Sequence, residues 1–245
     1  MSSRGAGDGL WRSQNAQATE VLRGADGALL EPPAVSANGR RVAVVLRRNG
    51  KLHLNVATAD GSELRAVAES IDVGGVASWS PDDKWIVTGG TDAKGPALFK
   101  IPVEGGGAPI RLVAGAAKDP VWSPDGTLIV YAGVNVGGQS PLVAVRPDGA
   151  AVELPPIRFL ATGGERYRFL PTGKSLIYMQ GTRPSQDFWL LDLVTKKSRP
   201  LTHLTGSAAM RTFDLSPDGK QIVFDRLREN SDVVLIDRPR NSQKP

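Results

Sequence analysis

Trp122-Ser123-Pro124-Asp125-Gly126 is one of five similar sequences in this chain of 245 residues. The other four copies begin at Val35, Trp79, Phe169 and Leu215. The third residues of successive copies lie 44, 43, 47 and 46 positions apart. A period of this length indicates that one supersecondary unit is repeated along the chain.

Each copy has the residues of a tight turn between two strands. Proline fixes φ at the first corner, aspartate or asparagine can bond its own backbone, and glycine accepts the positive φ that closes the turn. Three copies depart from the pattern, with Ala37-Asn38 for Pro-Asp, Asp83 for Gly and Thr172 for Asp. A run rich in branched and aromatic residues, typical of a strand, follows every copy, at residues 41–45, 85–88, 128–131, 176–178 and 222–224.

Two further apolar runs complete most units. Third runs lie at 52–56, 97–101, 142–145, 188–191 and 233–236, and weaker fourth runs lie at 64–67, 110–113, 152–154 and 200–201. Four strands in about 45 residues are the size of one propeller blade. We therefore predict an all-β fold, a β-propeller of four-stranded antiparallel blades with about five blades plus a partial one.

Radial packing lets each blade bury both faces of its sheet against its neighbours. The first residue of each copy is large and apolar, so we predict that this column forms the core between blades on the innermost strands. Its members are Val35, Trp79, Trp122, Phe169 and Leu215.

The Trp-Ser-Pro-Asp-Gly turn followed by Ile-Val-Tyr or Ile-Val-Phe resembles the WD40-like propeller repeat of the TolB family, over about residues 10–240. The resemblance implies the propeller fold and, as a partner, an envelope lipoprotein met in the periplasm. The α/β domain of that family is not seen. The segment 225–235 also resembles propellers at the C-terminus of bacterial winged-helix regulators and protein kinases, which would make the partner an effector domain of the same parent protein.

The predicted organisation is a single domain over residues 1–245, and its parts are a partial blade at 1–30, repeat units at 31–73, 74–117, 118–162, 163–209 and 210–240, and a tail at 241–245. Residues 10–12 and 19–22 match the third and fourth strands of a unit whose first two are missing, and the last unit lacks its fourth strand. Either residues 19–22 complete the last blade, or the chain is the C-terminal part of a longer propeller. We favour the second arrangement, because an open ring would leave a blade face and unpaired edges in water.

Composition argues against most catalytic chemistry. The chain has no Cys and two His, so cysteine nucleophiles, Cys-based metal sites and multi-histidine sites are excluded. We predict no metal, no cofactor and no enzyme activity. The net charge of +5 is spread thinly, so no nucleic-acid partner is expected, and no run approaches the length of a membrane span. The N-terminus lacks the features of a secretory signal, which leaves localisation open: the cytoplasm for the chain as written, or the periplasm behind an upstream signal.

The remaining candidate site is the mouth of the central channel, where the innermost strands begin. Residues just before the repeated turns should lie there, and they are Asp119, Arg166, Tyr167, Arg168, Arg211 and Asp214. Arginines grip carboxylates with two parallel hydrogen bonds, so this set suits an acidic peptide loop or a small anion. Strand alternation puts Arg166 and Arg168 on one side and Tyr167 on the other.

We therefore expect a non-enzymatic binding or scaffold module that recognises a protein or peptide. The alternative is a propeller lyase or hydrolase, or the gating propeller of a prolyl-oligopeptidase-like peptidase without its catalytic domain. A lyase would need a cluster of histidine or carboxylate side chains around a metal, and the peptidase would need a Gly-x-Ser-x-Gly sequence, which this chain lacks.

Overall fold

The computed structural model describes residues 9–23, 29, 31–104, 107–160, 166–182, 185–204 and 209–226, and within these ranges every regular element is a β-strand. Three parts of the predicted organisation fall outside them: the first eight residues, the third strand at 233–236 and the tail at 241–245. Among the described residues there is no helix with the length and apolarity needed to cross a bilayer.

The strands form antiparallel sheets that follow the repeat. A hairpin comes first, with β1 (Gly9–Gln14) and β2 (Gln17–Arg23). Blade 1 contains β3 (Ala34–Val35), β4 (Arg41–Arg48), β5 (Lys51–Thr58) and β6 (Leu64–Ala66). Blade 2 contains β7 (Asp72–Trp79), β8 (Trp85–Asp92), β9 (Gly95–Pro102) and β10 (Ile110–Ala114). The two four-stranded sheets match the predicted unit.

Blade 3 contains β11 (Lys118–Trp122), β12 (Ile129–Ala132), β13 (Gln139–Val145), β14 (Ala151–Val152) and β15 (Arg158–Leu160). Blade 4 contains β16 (Tyr167–Phe169), β17 (Ser175–Thr182), β18 (Ser185–Asp192) and β19 (Ser198–Pro200). The described part of blade 5 contains β20 (Phe213–Leu215) and β21 (Ile222–Phe224). The all-β propeller architecture predicted from the repeat is confirmed.

Serine in the repeated sequence holds the first turn of a blade in place. In blade 3 the Ser123 hydroxyl donates to Asp125 Oδ1 at 2.6 Å and accepts the backbone N–H of Leu128 at 2.9 Å. The corresponding pairs of hydrogen bonds recur in blades 1, 2 and 5. In blade 4 the position is taken by Leu170, and Thr172 there only accepts the Lys174 N–H at 3.4 Å.

The blades pack side by side in chain order through apolar clusters. One cluster joins blades 1 and 2 and contains Trp79, another joins blades 2 and 3 and contains Trp122, and a third joins blades 3 and 4 and contains Phe169. The three aromatic side chains are 7–8% exposed. The Trp79 indole also donates to the Ala34 carbonyl of blade 1 at 2.8 Å. Leu215 packs, partly buried, on the cluster between blades 4 and 5.

Val35 does not share in this core. The prediction for this position is wrong, because its side chain is 61% exposed. The hairpin next to blade 1 places Leu10 and Leu22 against Val42 and its neighbours on β4. Val35 lies on the strand inside β4, paired with Val42. The hairpin therefore covers the second strand of blade 1, and the innermost strand stays exposed in the described structure.

The fourth strand of blade 3 is divided into two pieces. β14 pairs with residues 144–145 of β13, and β15 pairs with residues 139–141 of the same strand. Pro155 and Pro156 stand between the two pieces, and a proline has no N–H to give to a ladder. The sequence predicted only the first piece. The second piece carries Phe159 and Leu160 toward the end of the blade where β11 begins.

Candidate functional site

The end of the propeller at which the first strand of each blade begins is called the top face below. A cavity of about 390 Å³ opens there and reaches across blades 1 to 4. Its polar lining residues are Glu31, Lys118, Asp119, Asn135, Ser140 and Arg166. Apolar surface is supplied by side chains that include Leu52, Phe159 and Leu160. The volume lies within the range of small-ligand pockets.

Each polar residue reaches the cavity because of its place in a blade. Glu31 and Arg166 stand just before the first strands of blades 1 and 4, and Lys118 and Asp119 begin the first strand of blade 3. Asn135 belongs to the connection between β12 and β13, the second and third strands of blade 3, which is six residues long. The corresponding connections in blades 1 and 2 have two residues. The connections between second and third strands return to the top face, so this longer one can reach over the cavity.

Asp119 has an unusual backbone conformation, with φ of 50°. This left-handed region is uncommon for residues other than glycine, and aspartate is among those that adopt it. The Tyr167 hydroxyl donates to the Asp119 carbonyl at 2.5 Å and lies 3.4 Å from the Lys118 carbonyl. The pairing of β11 with β12 shifts register between Lys118 and Val121. The tyrosine therefore positions the bend from which Asp119 meets the cavity.

Tyr167 acts from inside the core. Its side chain is 1% exposed and its ring lies 5.4 Å, centroid to centroid, from that of Phe159. Burial, with the Asp119 charge as a second cause, raises the pKa of the Tyr167 hydroxyl well above its ordinary value of 10.0. The hydroxyl is therefore a permanent hydrogen-bond donor at ordinary pH and serves as a positioning group.

Both arginines of blade 4 make hydrogen bonds to residues of blade 5. Arg166 is 4% exposed, and its Nη1 donates to the Met210 carbonyl at 3.3 Å. Arg168 donates from Nε to Asp214 Oδ1 at 3.2 Å, across the gap between β16 and β20. Because the Asp214 side chain is 76% exposed, this ion pair contributes little to stability.

The six predicted site residues thus fall into separate groups. Asp119 and Arg166 line the top cavity, and Tyr167 supports it from the core. Arg168 and Asp214 form a cross-blade pair. Arg211 is exposed before β20, where its backbone N–H donates to Asp225 Oδ1 at 2.8 Å. The arginines therefore do not converge on one point.

Sequence reasoning missed four polar residues of the cavity. Glu31 lies just before a first strand and Lys118 begins one, as the predicted residues do, so the same rule would have found them. The Gly-rich connection at 133–138 signalled that Asn135 lies at a loop, and Ser140 follows it. Phe159 and Leu160 carried no signal, because their strand exists only through its pairing with β13.

The two histidines lie in different blades. His53 is in β5 of blade 1, and His203 is exposed after the last strand of blade 4. Across the described ranges, no group of three or more His, Asp or Glu side chains could hold a metal ion.

No protein-family model and no curated protein matches the sequence. Solved structures do match it. A TolB structure from Agrobacterium tumefaciens is 22% identical with a TM-score of 0.61, and the match covers 80% of this chain and 73% of that one. Oligogalacturonate lyase from Vibrio parahaemolyticus is 14% identical with a TM-score of 0.61, covering 85% and 61%.

A prolyl endopeptidase is 15% identical with a TM-score of 0.59, and the match covers 90% of this chain. The chain spans 61% of the lyase and 36% of the endopeptidase. The likeness to TolB and to these enzymes shows that the chain has a β-propeller fold. At such identities it shows the fold alone, because one scaffold carries many functions.

Proposed function

We propose that this β-propeller is a non-enzymatic binding module that recognises a segment of a protein or peptide at its top face. The observation that carries the proposal is the 390 Å³ cavity, which combines acidic, basic and amide side chains. The surrounding frame is rigid, because blades 2, 3 and 4 interlock through buried clusters and through the Tyr167 hydrogen bond to Asp119. Binding residues held on a rigid frame lose little entropy when a ligand arrives.

Binding is preferred to catalysis because, among the described residues that line the cavity, no hydrogen bond joins a nucleophile to a base. The histidines stand in blades 1 and 4 and neither lines the cavity. Lys118 is exposed, whereas a catalytic lysine usually lies in a desolvated, apolar pocket. The lyase and peptidase alternatives are supported by likeness of fold, which carries no site with it.

The partner we propose is a protein or peptide. An envelope lipoprotein is the partner that the resemblance to TolB implies, and an effector domain of the same parent protein is the alternative. Both would present short loops or chain segments to the top face, which is the size of target that the cavity can accept.

A photocrosslinking amino acid at position 135 tests the proposal directly. Asn135 is exposed on the top face, and Lys174 lies in the repeated turn at the opposite face of blade 4, so position 174 serves as the matched control. We expect crosslinks from position 135 to a defined partner segment, mapped by mass spectrometry, and none to that segment from position 174.

Charge reversal of one lysine on each face, Lys118 and Lys174, completes the test. Lys118→Glu should weaken binding of the mapped partner at least tenfold, and Lys174→Glu should leave it unchanged. Equal binding by both variants, or stoichiometric metal together with substrate turnover in the purified protein, would contradict the proposal.

A further inference from the structure

A second cavity opens on the top face between blades 2 and 3, and it is called the outer pocket below. Its volume is about 360 Å³, and it adjoins the top cavity, since Ala116 and Gly133 line both. Of the described residues that line it, Arg158 is the one with a charged side chain, and none is acidic. Much of the remaining wall is apolar and comes from Val113, Val134, Val136, Pro141 and Val143. Such a wall suits a ligand that combines an apolar group with a negative charge.

Strand register places the two polar side chains of the outer pocket on one face of blade 3. Tyr131 on β12 pairs with Val143 on β13, and Arg158 on β15 pairs with Pro141 of the same β13 strand. Paired residues point to the same side of a sheet, as do residues two apart on one strand. All four therefore share a face. Tyr131 is part of the apolar cluster that joins blades 2 and 3, so this face is the one turned toward blade 2.

A short ordered turn holds the rim of the outer pocket. Val136 and Gln139 exchange two backbone hydrogen bonds of 2.8 and 3.2 Å, and the Asn135 side chain accepts the N–H of Gly138 at 3.1 Å. The side chains of Val134 and Val136 on this rim are 54% and 67% exposed. Exposed apolar side chains next to an apolar pocket are typical of binding surfaces. The rim is thus already in place for a ligand.

Tyr131 brings a buried hydroxyl to the pocket. The residue is 5% exposed, and burial raises the pKa of its hydroxyl above the ordinary value of 10.0, so the group stays protonated and can donate a hydrogen bond. Within the described part of the chain, no group is hydrogen-bonded to the Tyr131 hydroxyl or paired with the exposed Arg158 guanidinium. Buried polar groups are normally hydrogen-bonded, so these two donors are suited to the oxygens of a ligand.

We propose that the outer pocket binds the C-terminal residue of a peptide whose last side chain is branched and aliphatic, with its carboxylate at Arg158. The valines contact the aliphatic side chain, and the Tyr131 hydroxyl donates to an oxygen of the same residue. Guanidinium and carboxylate form strong, charge-assisted hydrogen bonds. The assignment rests on the proposed function, because the pocket lies on the top face beside the cavity.

The charges of the pocket favour a chain end over other sources of the same groups. A free amino acid would bring an ammonium group to a wall on which the described residues include no acidic side chain. An internal peptide segment has no backbone carboxylate for Arg158. The space of about 360 Å³ equals roughly twelve water molecules at their liquid volume, which is enough for one large aliphatic residue.

Acetylated dipeptides test the assignment without the unidentified partner. The probes are acetyl-Ala-Leu with a free carboxylate, the same peptide as its amide, acetyl-Ala-Gly with a free carboxylate, and isocaproate, which has the branched group and the carboxylate without a peptide. We expect acetyl-Ala-Leu to bind at least tenfold more tightly than each of the others, measured by NMR titration of the full chain. The shifted amides should include those of Val134, Val136 and Val143.

Two variants identify the donors. Arg158→Gln should weaken acetyl-Ala-Leu about tenfold and leave its amide unchanged. Arg146→Gln is the matched control, because Arg146 is also exposed on blade 3 but follows β13 at the opposite face. Tyr131→Phe should weaken acetyl-Ala-Leu severalfold without lowering the melting temperature. A lower melting temperature would mean that the hydroxyl already stabilises the fold, which contradicts its role toward a ligand.

The inference is overturned if the amide or the glycine probe binds as tightly as acetyl-Ala-Leu, if no probe binds, or if the shifts fall away from the outer pocket. Equal binding of isocaproate also overturns it and assigns the pocket to small carboxylic acids. If position 135 still crosslinks to a partner segment in any of these cases, the assignment of the outer pocket alone is wrong and the proposed function stands. If position 135 gives no crosslink that position 174 does not also give, the proposed function fails and this inference fails with it.

Discussion

Single residues explain why the repeated sequence tolerates its departures. Asp83 replaces the glycine of the second copy and adopts φ of 59°, in the same left-handed region. Its carboxylate accepts the backbone N–H of Ala37 at 2.6 Å and of Asn38 at 3.2 Å, both in the turn of blade 1. In blade 4 the glycine of this position approaches Asp125 of the preceding turn. The departure at Asp83 therefore links two blades by hydrogen bonds.

Asp83→Gly should destabilise the protein by about 2–4 kcal/mol. Two hydrogen bonds to a charged acceptor are lost, at about 1.5–3 kcal/mol each, and relief of the left-handed backbone offsets part of the loss. Urea denaturation of the two proteins measures the difference. Asp83→Asn keeps one acceptor oxygen and should lose less. A glycine variant as stable as the parent would show that the link between the turns contributes nothing.

Asp60 provides a second test at the residue scale. The Thr58 hydroxyl donates to Asp60 Oδ1 at 2.6 Å, and Ser62 adds a backbone and a side-chain donor. These bonds lower the pKa of Asp60 from 3.8 to about 2. Because the folded-state pKa is depressed, the stabilisation is present above about pH 4 and is lost as the pH falls toward 2.

Thr58→Ala should raise the Asp60 pKa toward its ordinary value, measured by NMR titration of the carboxyl carbon. Thr58→Ser retains the hydroxyl and should leave the pKa at about 2. An alanine variant that titrates like the parent would assign the shift to Ser62 instead.

At the scale of elements, one blade departs from the repeat where the site lies. Blade 3 has the longer connection at 133–138 and the divided fourth strand, and both contribute to the lining of the top cavity. Its first strand also carries the left-handed residue Asp119. Irregular features of this kind concentrate at functional sites, where they redirect side chains.

Mutation of Trp122 tests the apolar cluster that joins blades 2 and 3. Trp122→Ala removes a side chain that is 8% exposed and packed between two sheets, so it should cost roughly 3–5 kcal/mol of unfolding free energy. Trp11→Ala is the matched control, because Trp11 is 56% exposed on β1 and should cost under about 0.5 kcal/mol. Chemical denaturation measures the unfolding free energy of both variants. Equal losses would contradict the role of Trp122 in the core between blades 2 and 3.

At the scale of the whole molecule, the β1–β2 hairpin packs against blade 1 in the way that the fourth strand of one blade packs against the next blade. A Cβ at Gly149, in the turn after β13, would stand 2.7 Å from the Leu112 carbonyl of β10, the fourth strand of blade 2. A Cβ at Gly61, in the same turn of blade 1, would stand 1.8 Å from the Val21 carbonyl of β2. β2 therefore lies beside blade 1 as a fourth strand lies beside the next blade.

Gly61→Ala should separate the hairpin from blade 1, because the added Cβ overlaps the Val21 carbonyl. Gly39→Ala carries a similar positive φ, 70° against 78°, with nothing within 4 Å of the new atom. The control should lose about 1–2 kcal/mol of unfolding free energy from backbone strain alone. Gly61→Ala should lose more and should also speed amide exchange in β2. Similar losses and unchanged exchange would mean that this close contact does not hold the hairpin.

The amino-acid sequence by itself determined the blades. Turn chemistry is local, since Ser123, Asp125 and Gly126 act within a few residues, and a 45-residue period in which branched and aromatic residues recur could be read directly from the chain. The core between blades could be predicted from the first residue of each copy, at Trp79, Trp122 and Phe169.

Tertiary structure alone decided where a cavity forms between the blades and which residues line it. The lining joins residues from four blades, as far apart as Glu31 and Arg166, and whether such residues meet depends on blade rotation and packing. Exposure of Val35 and pairing of β15 with β13 likewise depend on neighbours distant in the chain. Local sequence specifies the hydrogen bonds of a turn, whereas burial and convergence arise only when whole sheets pack together.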